Sequence, residues 1–334
     1  MMTHALLQVD HLRIEIPTRR SILTAVDDVS FEIKEGEVLG VVGESGAGKS
    51  LTGAAIIGLL EPPGRIAGGA VYLRGQRIDK LAYDELRRIR GREIGMVFQD
   101  PLTSLNPLYT IGRQLVETIQ THTELSALKA RQRALELLRE VGIPSPERRL
   151  DQYPHQFSGG MRQRVVIALA LCINPKLVIA DEPTTALDVS IQAQIIALLK
   201  KLCREHGTAV MLITHDMGVI AETANRVAVM YAGRIAEIGA VQQVIKQPLH
   251  PYTRGLMGSI PKIGQLEEQL TQIEGSMPRL HEIPPGCAFH PRCTQRIQKC
   301  QQRRPEAMLY ESIKDNSSQI ACWLYDVNQK QKAT

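Results

Sequence analysis

The sequence predicts an α/β protein with a parallel sheet, followed by an irregular, cysteine-rich C-terminal extension. Short apolar runs of the kind found in strands buried on both faces lie at Val38–Val42, Leu177–Glu182 and Ala209–Ile213. Segments with helical periodicity lie between them, and buried strands that alternate with helices indicate parallel pairing. After about residue 245, eight prolines interrupt any periodicity. This last part of the chain therefore cannot easily bury a core of its own.

The individual elements are predicted from their periodicity and their turn residues. Near the N-terminus, runs at Gln8–Ile16 and Val29–Ile33 predict strands, because Gly, Asp and Lys-Glu turn signals separate them. Apolar residues recur at helical spacing over Leu125–Val141, with Lys and Arg between them. Two further helices are expected over Arg162–Ile173 and Ile191–Arg204. No internal repeat is visible, since each motif occurs once.

Length and composition exclude several classes of protein. A chain of 334 residues suggests two domains, or one large domain with an appendage, and its 43% apolar and 22% charged residues exclude disordered and fibrous classes. The longest apolar run, Val165–Ile173, is far shorter than the ~20 residues of a membrane-spanning helix. No secretory signal is visible, so we expect a protein of the cytoplasm. The net charge of +5 is scattered, which gives no reason to expect a nucleic-acid partner.

A glycine-rich segment, GESGAGKS at Gly43–Ser50, follows the first buried strand and precedes the apolar run Leu51–Leu60. In such phosphate-binding loops, glycines let backbone N–H groups point at phosphate oxygens, and the next helix directs its positive end at them. Lys49 would supply a charge for the β- and γ-phosphates, and Ser50 a hydroxyl ligand for Mg²⁺. The sequence therefore predicts a nucleoside triphosphate site built from Gly43, Glu44, Ser45, Gly46, Ala47, Gly48, Lys49, Ser50 and Leu51.

Polar residues follow other apolar runs of the chain. Asp181 lies at the end of a buried strand, where ligands of α/β sheets bind, and would hold Mg²⁺. Glu182 beside it could accept a proton from an attacking water molecule. Gln99 and His215 also follow apolar runs, although a single polar residue at such a position is more often structural. Together with the phosphate-binding loop, the acidic pair predicts a hydrolytic site.

A second helix start of the anion-binding kind lies in the segment FSGGMRQ. It places Ser158, Gly159 and Gly160 directly ahead of an apolar helix, so backbone N–H groups and the helix dipole are both available. An ordinary helix cap with a flexible glycine pair would explain this segment if it stood alone. Two such starts in one chain are unusual.

The order of these features resembles the ATP-binding subunits of ABC transporters. GESGAGKS, Gln99, the signature-like SGGM, LVIADE and His215 occur in the order of that family, over roughly residues 8–245. The resemblance implies a RecA-like P-loop core with an antiparallel β subdomain and an α-helical subdomain near residues 100–170. It also implies a head-to-tail pair of subunits, with ATP enclosed between the P-loop of one and the signature segment of the other.

The same resemblance implies a role for each matched residue. Glu182 would polarise the attacking water and His215 would brace the γ-phosphate. Gln99 would join the Mg²⁺ site, which it would share with Ser50 and Asp181, to a membrane partner. Contacts with the partner subunit's ATP would come from Ser158, Gly159, Gly160 and Asp188.

Two positions depart from the family pattern, and the smaller change is Met161, where the signature segment usually has Gln. The family usually stacks adenine on an aromatic residue near position 16, but no Phe, Tyr or Trp precedes Phe31. We therefore expect Ile16, with Pro17, to make an aliphatic contact with the base. Such a contact would discriminate less strongly between bases than stacking does.

The last part of the chain resembles a narrower group within this family. QPLHPYTRGLMGSIP at Gln247–Pro261 and the later GCAFHPRC look like the extension of dipeptide/oligopeptide importer subunits, as do DPLTSLNP and EPTTALDVSIQAQI. This likeness implies a peptide importer at the cytoplasmic face of the inner membrane. Its expected partners are a second, different ATPase subunit, two transmembrane permeases and an extracytoplasmic peptide-binding protein. Related importers carry nickel or antimicrobial peptides, and a soluble ABC ATPase acting on ribosomes or DNA is a further alternative.

Four cysteines lie close to the C-terminus, at Cys287, Cys293, Cys300 and Cys322, with five, six and twenty-one residues between them. Four thiolates can hold Zn²⁺ or an iron–sulfur cluster. The spacing does not choose between these, nor does it exclude reduced thiols or zinc held with His281 or His290. The resemblance implies a 4Fe-4S cluster. We thus expect an ATPase domain over residues 1–245 and a metal-stapled extension over residues 246–334.

Overall fold

The computed structural model describes residues 5–185, 187–259, 273–311 and 317–326. Its strands, in chain order, are β1 (Leu7–Pro17), β2 (Ile22–Ile33), β3 (Val38–Val42), β4 (Arg65–Leu73), β5 (Gln76–Arg77), β6 (Ile94–Val97), β7 (Leu177–Asp181), β8 (Ala209–Ile213), β9 (Arg226–Tyr231), β10 (Arg234–Ala240), β11 (Met308–Glu311) and β12 (Ser317–Ile320). Its helices are α1 (Lys49–Ile56), α2 (Tyr83–Ile89), α3 (Pro101–Ser104), α4 (Ile111–His122), α5 (Ala127–Glu140), α6 (Pro146–Arg149), α7 (Gly159–Leu171), α8 (Val189–His206), α9 (Met217–Thr223), α10 (Val241–Lys246), α11 (Pro251–Gly258) and α12 (Gln298–Gln302). Within these described ranges, no helix is both long enough and apolar enough to cross a membrane.

The described residues divide into two compact units. The first comprises the described part of Met1–Leu6 together with Ile33–Val38 and Arg74–Ile213. The second comprises Leu7–Glu32, Leu39–Leu73 and the described part of Thr214–Thr334. The C-terminal extension therefore belongs to the same compact unit as the predicted phosphate-binding loop.

The sheet of the first unit is parallel. Strand β7 lies between β6 and β8, with Val97 opposite Ala180 and Asp181 opposite Ile213. Every residue of β7 is buried, which explains why its sequence is a continuous apolar run rather than an alternating one. A Cβ atom on Gly95 of β6 would lie 2.3 Å from the carbonyl oxygen of Ala170. The glycine thus lets helix α7 approach the sheet closely.

The helical part of the first unit contains α3 to α7. Helices α4 and α5 are amphipathic and bury one face each, through side chains such as Leu115 and Leu138. Each begins at a hydroxyl cap: Thr110 accepts the N–H of Arg113 at 3.3 Å, and Ser126 caps α5 in the same way. The periodicity of Leu125–Val141 therefore predicted α5, whereas α4 was not predicted.

The second unit contains an antiparallel layer and a group of parallel and antiparallel strands. Strand β1 lies between β2 and β4, and its pairing with β4 runs from Leu7 opposite Leu73 to Glu15 opposite Arg65. Strand β3 pairs in parallel with β9, and β9 forms an antiparallel hairpin with β10. The predicted strand Val29–Ile33 is the end of a longer strand, β2.

The C-terminal extension is not irregular throughout, which corrects the expectation from its prolines. Strand β12 pairs with β10, with Glu237 opposite Ile320, and β11 pairs with β12. Ile320 is buried and packs with Leu249 and Cys322. Backbone hydrogen bonds to β10 hold β12 in the sheet, and β12 in turn holds β11. Such pairing does not require an apolar run in the added strands. For that reason the local sequence gave no sign of them.

Candidate functional site

The glycine-rich segment forms a tight loop between β3 and α1, in the second unit. Gly46 and Gly48 adopt left-handed φ values of 83° and 99°, which glycine accepts without steric cost. The N–H of Ala47 donates to the carbonyl oxygen of Glu44 at 3.1 Å, so the loop turns back on itself. Gly48 is the residue that precedes the first turn of α1. The loop therefore lies at a helix N-terminus, as a phosphate-binding loop requires.

Lys49 points back into this loop. Its side chain is buried, and its Nζ donates to the carbonyl oxygens of Gly43 at 2.9 Å and Glu44 at 3.1 Å. Ser50 and Ser45 are exposed, and Leu51 is half-buried. A buried ammonium group in a loop at a helix N-terminus is suited to a multiply charged phosphate chain.

His215 lies close to the end of β3, which leads into the loop. The N–H of Thr214 donates to the carbonyl oxygen of Val41 at 3.2 Å, so the segment after β8 runs beside β3. Asp216 caps helix α9 by accepting the N–H groups of Gly218 at 2.7 Å and Val219 at 3.2 Å. The side chain of His215 is exposed. The backbone on both sides of this exposed residue is thus held by hydrogen bonds.

The acidic pair and Gln99 lie in the first unit. Asp181 ends β7 and is buried. The Glu182 carboxylate oxygen Oε2 accepts hydrogen bonds from Gln99 Nε2 at 3.0 Å and Thr185 Oγ1 at 2.9 Å. The sheet register explains the first of these bonds, since Val97 is opposite Ala180 and each polar side chain lies two residues further on. Sequence reasoning named Gln99 and Glu182 separately, and the fold brings them into contact.

Glu182 has an unusual backbone conformation. Its φ of 44° lies in the left-handed region, which costs a non-glycine residue about 1 kcal/mol or more. The N–H of Glu182 donates to the carbonyl oxygen of Ile213 at 2.8 Å, at the end of the neighbouring strand β8. Hydrogen bonds to both its backbone and its side chain therefore hold Glu182 in place.

The signature-like segment begins helix α7. Ser158 is its N-cap and accepts the N–H of Met161 at 3.4 Å. A Cβ atom on Gly160 would lie 2.8 Å from Ile191 Cγ2, so the start of α8 approaches α7 closely at this glycine. Ser158, Gly159 and Asp188 are exposed, and Asp188 is the N-cap residue of α8. Two helix N-termini thus lie side by side on this surface.

For two parts of the expected site the structure gives little information. Ile16 and Pro17 end β1 and are half-buried, and their contact with adenine stays a prediction. Ala186, in the segment EPTTALD, lies outside the described residues. Within the first unit the fold therefore joins Gln99 with Glu182, and within the second it places the loop and His215 at the end of β3.

The four C-terminal cysteines line one small cavity of about 10 Å³, in the second unit. The backbone N–H of Cys287 donates to the carbonyl oxygen of Cys300 at 2.8 Å, which closes the segment on itself. Burial, together with negative charge on the other cysteines, raises the pKa of Cys287 to about 11 and that of Cys322 to about 12. Among the residues described, no three His, Cys, Asp or Glu side chains lie together closely enough to hold a single metal ion.

Three further residues at these sites lie in motifs of the sequence that predict no role for them. Thr185, in EPTTALD, contacts Glu182. The hydroxyl of Tyr252, in HPYTRG, accepts the N–H of Glu44 at 2.9 Å. Arg292, in HPRC, forms an ion pair with the Glu44 side chain. The motifs were a signal that these residues matter, but only the fold shows what they touch.

Family models and individual relatives match the chain. Residues 26–185 match the model of the ABC transporter family, and residues 236–300 match that of the oligopeptide/dipeptide transporter C-terminal region. The dipeptide transport ATP-binding protein DppD of Bacillus subtilis is 48% identical over 321 residues, which are 96% of this chain and 95% of that protein. The chain belongs to the ATP-binding subunits of the dipeptide/oligopeptide transporter family. Its ABC ATPase family assignment from the motifs is thereby confirmed.

Two other members of this transporter family are of similar identity. The oligopeptide transport ATP-binding protein AppD of Bacillus subtilis is 45% identical and covers 96% of this chain and 97% of its own length. The dipeptide transport ATP-binding protein DppD of Escherichia coli K12 is 46% identical, over 90% of this chain and 92% of that protein. The similarity therefore includes both the ATPase segment and the extension.

Solved structures of ABC cassettes have the same fold as this ABC ATPase subunit. MJ0796, a bacterial ABC transporter cassette solved as a dimer, aligns with a TM-score of 0.64 and 33% identity over 70% of this chain and 98% of that one. CbiO1 of Clostridium perfringens aligns with a TM-score of 0.62 and 28% identity, over 73% of this chain and 91% of that one. The predicted RecA-like ABC ATPase fold, with its antiparallel sheet and helical parts, is confirmed.

Proposed function

We propose that this chain binds and hydrolyses ATP and thereby powers the import of dipeptides and oligopeptides through separate permease subunits. One observation carries the proposal: similarity to dipeptide transport ATP-binding proteins continues through 96% of the chain, beyond the ATPase segment and into the extension. The ordered P-loop with a buried Lys49 supplies the chemistry that such a subunit needs.

The P-loop would bind the triphosphate of ATP. Its backbone N–H groups and Lys49 would contact the phosphate oxygens, and the start of α1 would stabilise their charge. The other residues that would line this phosphate site are Gly43, Glu44, Ser45, Gly46, Ala47, Gly48, Ser50 and Leu51. Ile16 would contact the adenine, and His215 would brace the γ-phosphate.

The acidic pair would serve hydrolysis. Ser50, Gln99 and Asp181 are oxygen donors of the kind that Mg²⁺ prefers, and they would hold that ion, which neutralises charge on the phosphate oxygens. Glu182 would accept a proton from the attacking water. Its hydrogen bonds from Gln99 and Thr185 fix the carboxylate, so that it need not be reoriented during the reaction.

A second ATPase subunit would complete each nucleotide site. Ser158, Gly159, Gly160 and Asp188 lie at two exposed helix N-termini, which suits them to contact phosphate bound by another chain. ATP would stabilise the closed pair and hydrolysis would release it, because the contacts differ between the two states. We expect a heterodimer, bound at the cytoplasmic face of the inner membrane to two permeases that receive peptides from an extracytoplasmic binding protein.

The extension, residues 246–334, would carry a 4Fe-4S cluster on Cys287, Cys293, Cys300 and Cys322. The shared cavity supports this proposal. Four Cys thiolates are the usual ligand set of such a cluster, and these four would supply it. Zn²⁺ held by the same thiolates is the alternative. The cluster would hold together the loops of the extension, which bury little core of their own.

Peptide uptake tests the proposed function. Cells deleted for the gene would be complemented with the wild type, with Lys49→Ala, or with Lys80→Ala as a matched surface control. Labelled dipeptides and oligopeptides should enter cells that carry the wild type or the control, and should not enter cells that carry Lys49→Ala. Equal uptake in all strains, including the uncomplemented deletion, would remove peptides as the transported solute.

A further inference from the structure

Arg292 extends from the C-terminal extension to the P-loop. Its Nη1 donates to Glu44 Oε1 at 2.9 Å and to Oε2 at 3.0 Å. The Arg292 side chain is 9% exposed and that of Glu44 is 28% exposed, so water and salt screen this pair less than a surface pair. The ion pair joins positions 248 residues apart in the chain.

The other donors of Arg292 bind backbone of the extension itself. Nε donates to the carbonyl oxygen of Glu274 at 2.9 Å, and Nη2 donates to those of Gly275 at 3.2 Å and Ile273 at 3.4 Å. Every nitrogen of the guanidinium group therefore has an acceptor. A lysine ammonium could reach Glu44 or the carbonyl oxygens, but it lacks the fork that contacts both.

Tyr252 holds the same P-loop residue by its backbone. Its hydroxyl accepts the N–H of Glu44 at 2.9 Å, and the side chain is fully buried against the rings of Tyr231 and Phe289. Tyr252 is thus a rigid acceptor. Met277 of the extension also lies close to the loop, because a Cβ atom on Gly46 would be 3.0 Å from Met277 Cε.

We propose that Arg292 and Tyr252 are positioning residues of the nucleotide site, through which the C-terminal extension holds the P-loop in its binding conformation. The inference rests on the proposed ATP-binding function. A glycine-rich loop has much conformational entropy to lose when it binds a ligand, and contacts that order it beforehand reduce that loss. Affinity for ATP therefore depends on the extension, although neither residue belongs to the phosphate-binding motif.

The affinity of the purified full-length chain for Mg·ATP, measured by isothermal titration calorimetry, tests the proposal. Arg292→Gln should weaken binding roughly tenfold, since charge-assisted hydrogen bonds are roughly twice as strong as neutral ones and this pair is partly exposed. Arg292→Lys should recover only part of that loss, and Tyr252→Phe should weaken binding about threefold. Arg279→Gln, the same change at an exposed arginine of the extension, should stay within twofold of the wild type.

Kinetics of the assembled transporter distinguish positioning from catalysis. The KM for ATP should rise in Arg292→Gln by a factor close to that of the affinity loss, while kcat at saturating ATP should stay within about threefold. The double variant Glu44→Gln with Arg292→Gln should bind ATP no more than twofold more weakly than Arg292→Gln alone, because the two residues act through one contact. If the double variant lost ATP affinity by the product of the two single losses, the assigned contact would be overturned.

Two further outcomes separate this inference from the proposed function. If the wild type binds no ATP, the proposed function fails. If the wild type binds ATP and Arg292→Gln and Tyr252→Phe bind it equally well, only the positioning inference fails. Circular dichroism and the thermal midpoint report whether each variant is folded. Should Arg292→Gln not fold, Glu44→Gln carries the test, since it leaves every contact within the extension intact and should weaken ATP binding about fivefold.

Discussion

Replacing Glu182 with glutamine isolates the ability of this side chain to accept a proton. The two side chains have the same shape, and the amide oxygen of glutamine can accept the hydrogen bonds that Gln99 Nε2 and Thr185 Oγ1 donate at 3.0 and 2.9 Å. The backbone bond from the Glu182 N–H to the carbonyl oxygen of Ile213 is also unaffected. Packing and ATP binding should therefore be preserved in Glu182→Gln.

What Glu182→Gln removes is the proposed general base. Positioned proton transfer contributes about 10²–10⁴-fold to a rate, which corresponds to about 3–5 kcal/mol of activation free energy. We therefore expect phosphate release by the assembled transporter at saturating ATP to fall by at least 100-fold. The affinity for ATP should stay within about threefold of the wild type, and closed ATPase pairs should accumulate.

The matched control is Glu205→Gln, which makes the same change at an exposed residue of α8 that pairs with Lys201 at 3.9 Å. It should leave phosphate release within twofold of the wild type, because exposed ion pairs contribute little. A loss smaller than tenfold in Glu182→Gln would refute the assigned base. A loss of ATP affinity equal to the loss of rate would instead show that Glu182 acts in binding.

Three more perturbations follow from the same structure. Lys49→Ala removes a buried ammonium group and should weaken ATP binding by about 10–100-fold in calorimetry; unchanged affinity would contradict the P-loop assignment. Cys293→Ser should lower the iron content of protein purified without oxygen, whereas Cys172→Ser, a buried cysteine outside the extension, should not; an iron-free wild type would reject the cluster. Gly95→Ala would bring a Cβ atom to 2.3 Å from the carbonyl oxygen of Ala170, so the free energy of unfolding in urea should fall by about 1–3 kcal/mol.

The sequence predicted most reliably those elements whose environment is uniform along their length. The run Val38–Val42 and the run Ala209–Ile213 have the bounds of β3 and β8, because a strand buried on both faces is apolar at every position. Helix α7 begins at Gly159, three residues before its predicted start at Arg162. The local signal there was an N-cap serine followed by two glycines, and glycine has low helix propensity.

Contacts between distant segments could not be predicted in the same way. Strand β12 depends on a free edge of β10, and Tyr252 and Arg292 contact Glu44 across 208 and 248 residues of sequence. No local pattern encodes such partners. The motifs HPYTRG and HPRC identified where these residues lie, but the acceptor of each hydrogen bond depends on how the extension packs in the second unit.

Glu182 shows why local rules fail at a proposed catalytic residue. Propensity alone would place glycine or asparagine at a φ of 44°, because these residues enter the left-handed region at the lowest cost. Neither could offer a carboxylate to Gln99 and Thr185. The backbone bond to Ile213 and the two side-chain bonds can offset a strain of about 1 kcal/mol or more, since each net hydrogen bond contributes about 0.5–1.5 kcal/mol. A carboxylate held at this cost fits the proposed role of Glu182 as the general base, and under that proposal Glu182→Gly would relieve the strain while abolishing hydrolysis.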